Sequence, residues 1–354
     1  MKLDQLFARA LDRGASDILL SPGSRPALRI HGDIQLAEDA GVVDPAFTEK
    51  ALRVLLGEDG WERFLETRDV DLAAELHGQR FRVAGYLRAG VAALTMRLIP
   101  SAVATPSELG LPPILSELVM RPQGLILFTG AAGQGKTTSQ ASLVELLNRT
   151  VSRHVVTIED PIEHVIESNR CIVDQREVGR DTESFASGLR HVLRQTPDVI
   201  VLGEMRDLET IQTALTIAET GHLVLSTLHT NDAVQAVTRI VDVFPPHAQE
   251  AIRVQLSLAL SAVVGQRLVR DRKGEHVLAA EVLMNTPAVA NTIREARVEQ
   301  LYSTMELDRT AGMQTLNAAL QKLVDEKVIL ESEARRYRNT RESKSRSSRP
   351  AKPG

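Results

Sequence analysis

Residues 130–137 read Gly-Ala-Ala-Gly-Gln-Gly-Lys-Thr and follow an apolar run, Gly-Leu-Ile-Leu-Phe, at 124–128. This is the spacing of a phosphate-binding loop set between a strand and a helix. Gly130, Gly133 and Gly135 reach backbone angles closed to other residues, so the loop can curl its N–H groups toward phosphate oxygens. Ala131, Ala132 and Gln134 complete the cradle. Lys136 is expected at the outer phosphates and Thr137 at a magnesium ion, with Thr138 next to them in the nucleotide cradle. The next helix, with Leu143, Val144, Leu146 and Leu147 on its apolar side, adds the positive end of its dipole. The bland alternative is a glycine-rich turn that matches by accident. A strand before it and a helix after it speak against that.

Hydrolysis needs carboxylates as well as a cradle: one to polarise water, one to hold magnesium or its water shell. Two acidic clusters each end an apolar run. The first is Thr157-Ile158-Glu159-Asp160-Pro161-Ile162-Glu163; the second is the run from Asp198 that ends at Glu204, a magnesium-box pattern. Ligands in an open α/β sheet bind beyond the carboxyl ends of the strands, so both clusters are expected on the phosphate-loop side. Glu159 and Asp160 have a second reading as simple helix or loop caps. A third stretch, Glu219 to Thr230, brackets a buried strand with His222 and His229. A zinc site is disfavoured, because no cysteine or close third ligand accompanies the pair. Two readings stand for these histidines: structural, or hydrogen bonded to phosphate or to the acids.

The elements that must position these groups are legible in outline. Residues 1–100 read as a small α/β domain: a helix over 2–13, a strand at 18–20, a hairpin of 28–30 and 34–36 around His31-Gly32-Asp33, a helix near 45–57, and alternating segments at 70–76, 79–86 and 92–98. Residues 101–113, in a stretch rich in proline, read as a linker. From 114 to 334, short β-rich runs at 124–129, 154–158, 198–203 and 223–228 alternate with helical patterns, which implies a mostly parallel sheet covered by helices. Residues from about 250 to 332 read as mainly helical. The last segment, 335–354, carries eight basic residues against one acid and reads as a disordered tail, either solubilising or an anionic docking arm.

Composition narrows the class. The chain has 354 residues and is 43% hydrophobic, enough for two domains with ordinary cores. Net charge is −4 and aromatic content 3%, which disfavour a nucleic-acid binder. Cys171 is the only cysteine, so no disulfide within the chain and no cysteine zinc site can form. The N-terminal pattern lacks the apolar core of a signal peptide, and no run approaches the roughly 20 apolar residues of a membrane span. The expectation is a cytoplasmic protein.

With these elements in order, the chain resembles the secretion and pilus ATPases, most closely the PilT-type retraction motors of type IV pili. The resemblance covers residues 1 to about 330. It rests on Gly-Ala-Ser-Asp at 14–17, the acidic box 157–163, Gln175-Arg-Glu-Val-Gly179, Gly203-Glu-Met-Arg-Asp-Leu-Glu-Thr210, Glu219-Thr-Gly-His222 and Gly312-Met-Gln-Thr-Leu316. It implies an α/β fold: a RecA-like P-loop ATPase domain preceded by a small PAS-like α/β domain, assembled as a homo-hexamer with ATP and Mg2+ between subunits. It implies that Glu163 acts as general base, Glu204 stands at the magnesium-box position, and Arg82 and Arg97 reach the phosphates from the N-terminal domain. A guanidinium there would offset charge at the γ-phosphate; the plain alternative is an exposed charge beside an apolar strand.

The resemblance further implies pilus retraction and twitching motility, an inner-membrane platform protein as partner, a paralogous retraction ATPase as a further one, and a place at the inner face of the cytoplasmic membrane. Pilus assembly and type II secretion ATPases usually carry a longer N-terminal region, and many have a tetracysteine motif; this chain has neither. Where retraction motors carry Ala-Ile-Arg-Asn-Leu-Ile-Arg-Glu, residues 288–295 read Ala-Val-Ala-Asn-Thr-Ile-Arg-Glu. Thr286 and Pro287 still make a good helix start. The exchange at Ala290 and Thr292 bears on coupling rather than hydrolysis. Thr-Pro-Asp at 196–198 and Leu283 to Pro287 resemble the PilU-type accessory paralogue. Two rivals of other classes are a nucleic-acid motor, which predicts DNA-stimulated turnover, and a regulatory subunit that binds nucleotide without hydrolysis.

Overall fold

The computed structural model describes residues 3–30, 32–38, 40–76, 78–99, 102–308 and 312–339. His31 of the expected hairpin turn, Ser101 of the linker and residues 340–354 of the basic tail lie outside the described residues. The chain divides into two compact units, Met1–Ala102 with Pro161–Val165, and Val103–Asp160 with Ile166–Gly354.

The first unit is a six-stranded antiparallel sheet. Its strands are β1 (Asp17–Leu20), β2 (Ala27–Ile30), β3 (Asp33–Leu36), β4 (Asp69–Leu76), β5 (Gln79–Arg88) and β6 (Val91–Ile99), in the order β3-β2-β1-β6-β5-β4. Two helices, α1 (Leu3–Asp12) and α2 (Pro45–Thr67), supply its core partners. Leu6, Phe7, Ala10, Leu52, Trp61 and Phe64 cluster with Ile18, Leu20, Leu28, Phe81, Val83, Leu94 and Met96. Helix α2 starts where Asp44 accepts from the N–H of Ala46 with Pro45 next, and it kinks at Gly57 (φ 68°). Alternate residues of β1, β5 and β6 therefore face that core, and Asp17, Arg82 and Arg97 share the opposite face.

The second unit holds a seven-stranded sheet of β7 (Gly124–Thr129), β8 (His154–Glu159), β9 (Ile172–Glu177), β10 (Val199–Leu202), β11 (Leu223–Leu228), β12 (Leu260–Arg270) and β13 (His276–Met284), in the order β13-β12-β7-β11-β10-β8-β9. All neighbouring pairs are parallel except β12 with β13. Strands β7, β10 and β11 are buried along their whole length, as expected of a parallel sheet covered on both faces. Helices α4 (Lys136–Thr150), α5 (Phe185–Val192), α6 (Leu208–Glu219), α7 (Ala233–Asp242) and α8 (Gln249–Ala259) carry its buried partners, after the short α3 (Ile114–Leu118). The chain closes with α9 (Pro287–Arg294), α10 (Leu301–Leu307), α11 (Leu316–Asp325) and α12 (Glu331–Tyr337).

Four expectations change. The region after 250 is not mainly helical: β12 and β13, 11 and 9 residues long, form an antiparallel hairpin that completes the sheet. Burial on both faces made these strands read as continuous apolar runs without a period of two. The turn between them is held by Asp271, whose Oδ1 accepts from the N–H groups of Lys273 and Glu275. The linker, from Val103, packs on the second unit: Leu111 is buried and Ser142 donates to the Ala104 carbonyl at 2.6 Å. Residues 335–337 belong to α12 rather than to a tail, and the chain is tied at Asn339, which exchanges hydrogen bonds with Asn317. Residues 161–165 group with the first unit, because Arg80 donates to the Ile162 carbonyl and Arg82 pairs with Glu163. The expected start of α9 is present, with Thr286 as N-cap and Pro287 first in the helix.

Candidate active site

The phosphate loop leaves β7 at Gly130 and enters α4 at Lys136. Gly130 has no room for a side chain: a Cβ there would stand 2.8 Å from the Gln266 carbonyl oxygen of β12. Gly135, the N-cap, is left-handed at φ 77°. Gln134 anchors the loop by accepting from the N–H of Leu268 at 2.7 Å. Ser139, one turn into α4, accepts from Gln266 Nε2 at 2.7 Å. The loop is thus preformed against β12, with Ala131, Ala132 and Gly133 exposed and Thr137 and Thr138 half-buried at the helix start.

Lys136 is 7% exposed and donates to the carbonyls of Gly130 and Ala131 at 2.8 and 3.0 Å. Those carbonyls partner the ammonium from within the loop itself. Desolvation pushes Lys136 below the usual lysine range; Glu204 opposes this and Arg267 adds to it. A phosphate arriving here would meet a cation already stripped of most of its water.

Parallel register places the other groups. β10 pairs with β11 and β11 with β7, so their carboxyl ends share one edge. Glu204 follows β10 after Gly203. Its Oε1 accepts from Arg206 Nε at 2.7 Å, and its Oε2 lies 3.3 Å from His229 Nε2. His229 and Thr230 follow β11. The N–H of Thr230 donates to Thr129 Oγ1 at 3.2 Å, and that hydroxyl donates to the Thr230 carbonyl at 2.7 Å. The loop 130–137, Glu204 and His229 are therefore brought to one edge. Glu159 ends β8, where its Oε1 accepts from Thr157 at 2.6 Å and from Gln175 at 3.0 Å. Asp160 is exposed just beyond it.

His222 does not join them. It precedes β11, and its carbonyl accepts from the N–H of Gly124 at the start of β7. Six residues of strand, about 20 Å at 3.3 Å per residue, separate it from the loop end of the same pair. Two histidines at opposite ends of one strand cannot both face a site at its carboxyl end. His222 Nδ1 instead lies 3.3 Å from the Ile217 carbonyl.

Within the first unit, Arg82 and Arg97 stand directly opposite each other on β5 and β6. Each is held by acid. Arg82 reaches Asp71 through Nε and Nη2, at 2.5 Å for the shortest contact, and Glu163 through Nη1 at 2.9 Å. The hydrogen bond that Arg82 donates to Asp71 raises the Arg82 pKa, against desolvation, and Glu163 adds to the rise. Arg97 Nε lies 2.9 Å from Asp17 Oδ1, and Arg29 is 3.6 Å from Asp17 Oδ2.

Several contributors carried no sequence signal: Gln266 and Arg267 on β12, and Thr129 and Thr230 across the β7–β11 pair. Arg267 Nη2 donates to the Asn231 carbonyl at 2.7 Å beside the loop. Only recognition of β12 as a strand parallel to β7 would have found it.

No described helix is long and apolar enough to cross a membrane. A family model described as Type II/IV secretion system protein matches residues 1–351. The chain is 42% identical to the type IV pilus retraction ATPase PilT of Pseudomonas aeruginosa, over 95% of this chain and 97% of that one. It is 38% identical to the type IV pilus ATPase PilU of the same organism, over 91% of this chain and 85% of that one. Among solved structures, the pilus retraction motor PilT with bound ADP superposes with a TM-score of 0.88 at 42% identity, covering 96% of this chain and 97% of that one. The two units are accordingly a PAS-like α/β domain and a RecA-like P-loop domain, and the chain belongs to the type II/IV secretion system protein family.

Proposed function

We propose that this protein is the ATP-hydrolysing motor that drives type IV pilus retraction. The observation that carries the reading is the preformed phosphate loop with a desolvated Lys136 inside it and the Glu204–His229 pair on the same sheet edge. Likeness to a retraction motor over nearly the whole chain supports it. Lys136 would leave its loop carbonyls for the outer phosphates. The loop N–H groups and the α4 N-terminus would hold the remaining oxygens. Thr137 and Glu204 offer one hydroxyl and one carboxylate, both hard oxygen donors, which fits Mg2+ held by few protein ligands and by phosphates. Bound there, the ion would neutralise charge on the transferring phosphoryl group.

In this reading Glu163 accepts the proton of the attacking water, and Arg82 and Arg97 offset charge at the γ-phosphate. Glu159 and Asp160 flank the nucleotide. His229 hydrogen bonds to Glu204 and orients it. The working form would be a homo-hexamer, acting on an inner-membrane platform protein from the cytoplasmic face. Steady-state ATPase activity of the purified protein beside Glu163→Gln, with the hexamer fraction from light scattering, tests this. Turnover by the hexamer that the substitution abolishes is the expected result. A hexamer that binds ATP without turnover would overturn it.

An accessory, PilU-like role is the second reading, favoured by the 38% identity to PilU. Complementation of a strain lacking its main retraction motor separates the two: restored twitching supports the main role, and dependence on the resident motor supports the accessory one.

A further inference from the structure

Strand β13 is buried from Leu278 to Met284, and in the middle of that run sits Glu281, 1% exposed. A carboxylate so deep in an apolar sheet is costly unless hydrogen bonds hold it. Its Oε2 accepts from the backbone N–H of Ala233 at 2.7 Å. Ala233 is the first residue of α7, and the preceding Asp232 caps the same helix by accepting from the N–H of Gln235. Two acids thus serve different N–H groups of one helix start, where negative charge is favoured.

The path of the Glu281 side chain is set by a missing one. Glu281 stands opposite Gly265, Gly265 opposite Thr129, and Thr129 opposite Leu228. This row crosses the sheet at the level where β7 becomes the phosphate loop. A Cβ on Gly265 would come within 3.0 Å of Glu281 Oε2 and 3.3 Å of its Cβ. The glycine leaves the gap through which the carboxylate reaches α7.

What it reaches is the end of the segment 229–232. That segment is held to Glu204 through His229, to Thr129 through Thr230, and to Arg267 through the Asn231 carbonyl. Just after it, Ala233 is held by Glu281. We propose that Glu281 is a positioning residue for the nucleotide site: by pinning the first turn of α7 across Gly265, it sets where His229 and Thr230 stand against Glu204 and Thr129. The inference rests on the ATPase reading above. In this role Glu281 acts through the 229–232 segment.

The test is a double-mutant cycle on the full chain, with kcat and KM measured separately and Tm and hexamer fraction recorded for each variant. Glu281→Ala is expected to lower kcat about tenfold, since small displacements of a catalytic group carry losses of this order, with KM within about twofold. Glu281→Gln keeps an oxygen that accepts from Ala233 and is expected to recover most of the rate. Glu281→Ala added to His229→Ala is expected to cost less than Glu281→Ala alone, because part of its effect runs through His229. Should Glu281→Ala not fold, Gly265→Ala carries the test. It leaves the acid in place and crowds it, and is expected to lower kcat, by less in the His229→Ala background than alone. Losses that add in full to those of His229→Ala, or a Glu281→Gln variant as slow as Glu281→Ala, would overturn the inference and leave the ATPase reading intact. A wild-type protein without turnover would overturn both.

Discussion

The two sheets of this molecule carry their chemistry in different places. In the second unit, β7, β10 and β11 are buried on both faces, so an ionised side chain projecting from mid-strand there would be costly. The candidate groups gather where strands end: the phosphate loop after β7, Glu204 after β10, His229 after β11. In the first unit one sheet face packs on α1 and α2, and the strands themselves bear the arginines on the other. Like charges directly opposite destabilise a strand pair. Arg82 and Arg97 are tolerated because Asp71, Glu163 and Asp17 stand beside them. A doubly covered sheet places function at its edge; a singly covered one can place it on its face, if counter-charges come with it.

The largest expected effect lies at the edge. Lys136→Ala should lower ATP turnover about 1,000-fold, the upper end for loss of one electrostatic donor. The same change removes a desolvated cation, so Tm of the nucleotide-free protein should stay level or rise. An ATPase assay beside a melting curve checks both, and a clear fall in Tm would contradict the edge site as separate from the core. Next comes the face. Arg82→Ala should lower kcat about 100-fold, and Arg82→Lys should recover little, because a single ammonium cannot reproduce the fork that spans Asp71 and Glu163. Turnover restored by lysine would show that charge alone suffices there.

Two glycines sharpen the comparison in stability. Gly130→Ala drives a methyl against the Gln266 backbone carbonyl, which cannot rotate away; a loss of about 3 kcal/mol is expected in urea unfolding. Gly85→Ala in β5 meets Leu52 and Val70 side-chain carbons at 2.7 and 2.9 Å, which can repack, so about 1–2 kcal/mol is expected. Equal losses would mean that the first core is as unyielding as a backbone wall. The smallest effect concerns Cys171, buried and donating to the Val151 carbonyl. Desolvation raises its thiol pKa in the folded protein. A raised pKa gives stability that is complete below the unfolded value and lost as pH climbs toward the folded one. Unfolding free energy measured across the alkaline range should therefore fall less steeply in Cys171→Ala, and native Cys171 should resist thiol reagents.

Much of the site was legible because its residues are local in sequence. The loop 130–137 is contiguous, and Glu204 and His229 each follow a recognisable apolar run. Errors arose where the reading needed direction or partners. His222 and His229 look equivalent until β11 is given a direction, and a parallel strand has only one end at the loop. Strands β12 and β13 were lost because uniform burial erases the period that marks a strand. Their loss hid Gln266, Arg267, Gly265 and Glu281, all of which act through the neighbours that β12 and β13 acquire in the sheet.

By itself, the sequence determined the phosphate loop, the alternation of strands and helices that makes a parallel sheet, and the residue types available for hydrolysis. These follow from local backbone freedom and from hydrophobic periodicity, which short windows contain. Tertiary structure alone decided which acid meets which base. It grouped Glu163 with Arg82 across 81 residues and Glu281 with Ala233 across 48. It also set Gly265 beside Glu281, where a Cβ would meet the carboxylate at 3.0 Å. Pairings at such separations depend on strand order and register, and those are settled only when the whole sheet buries its faces together.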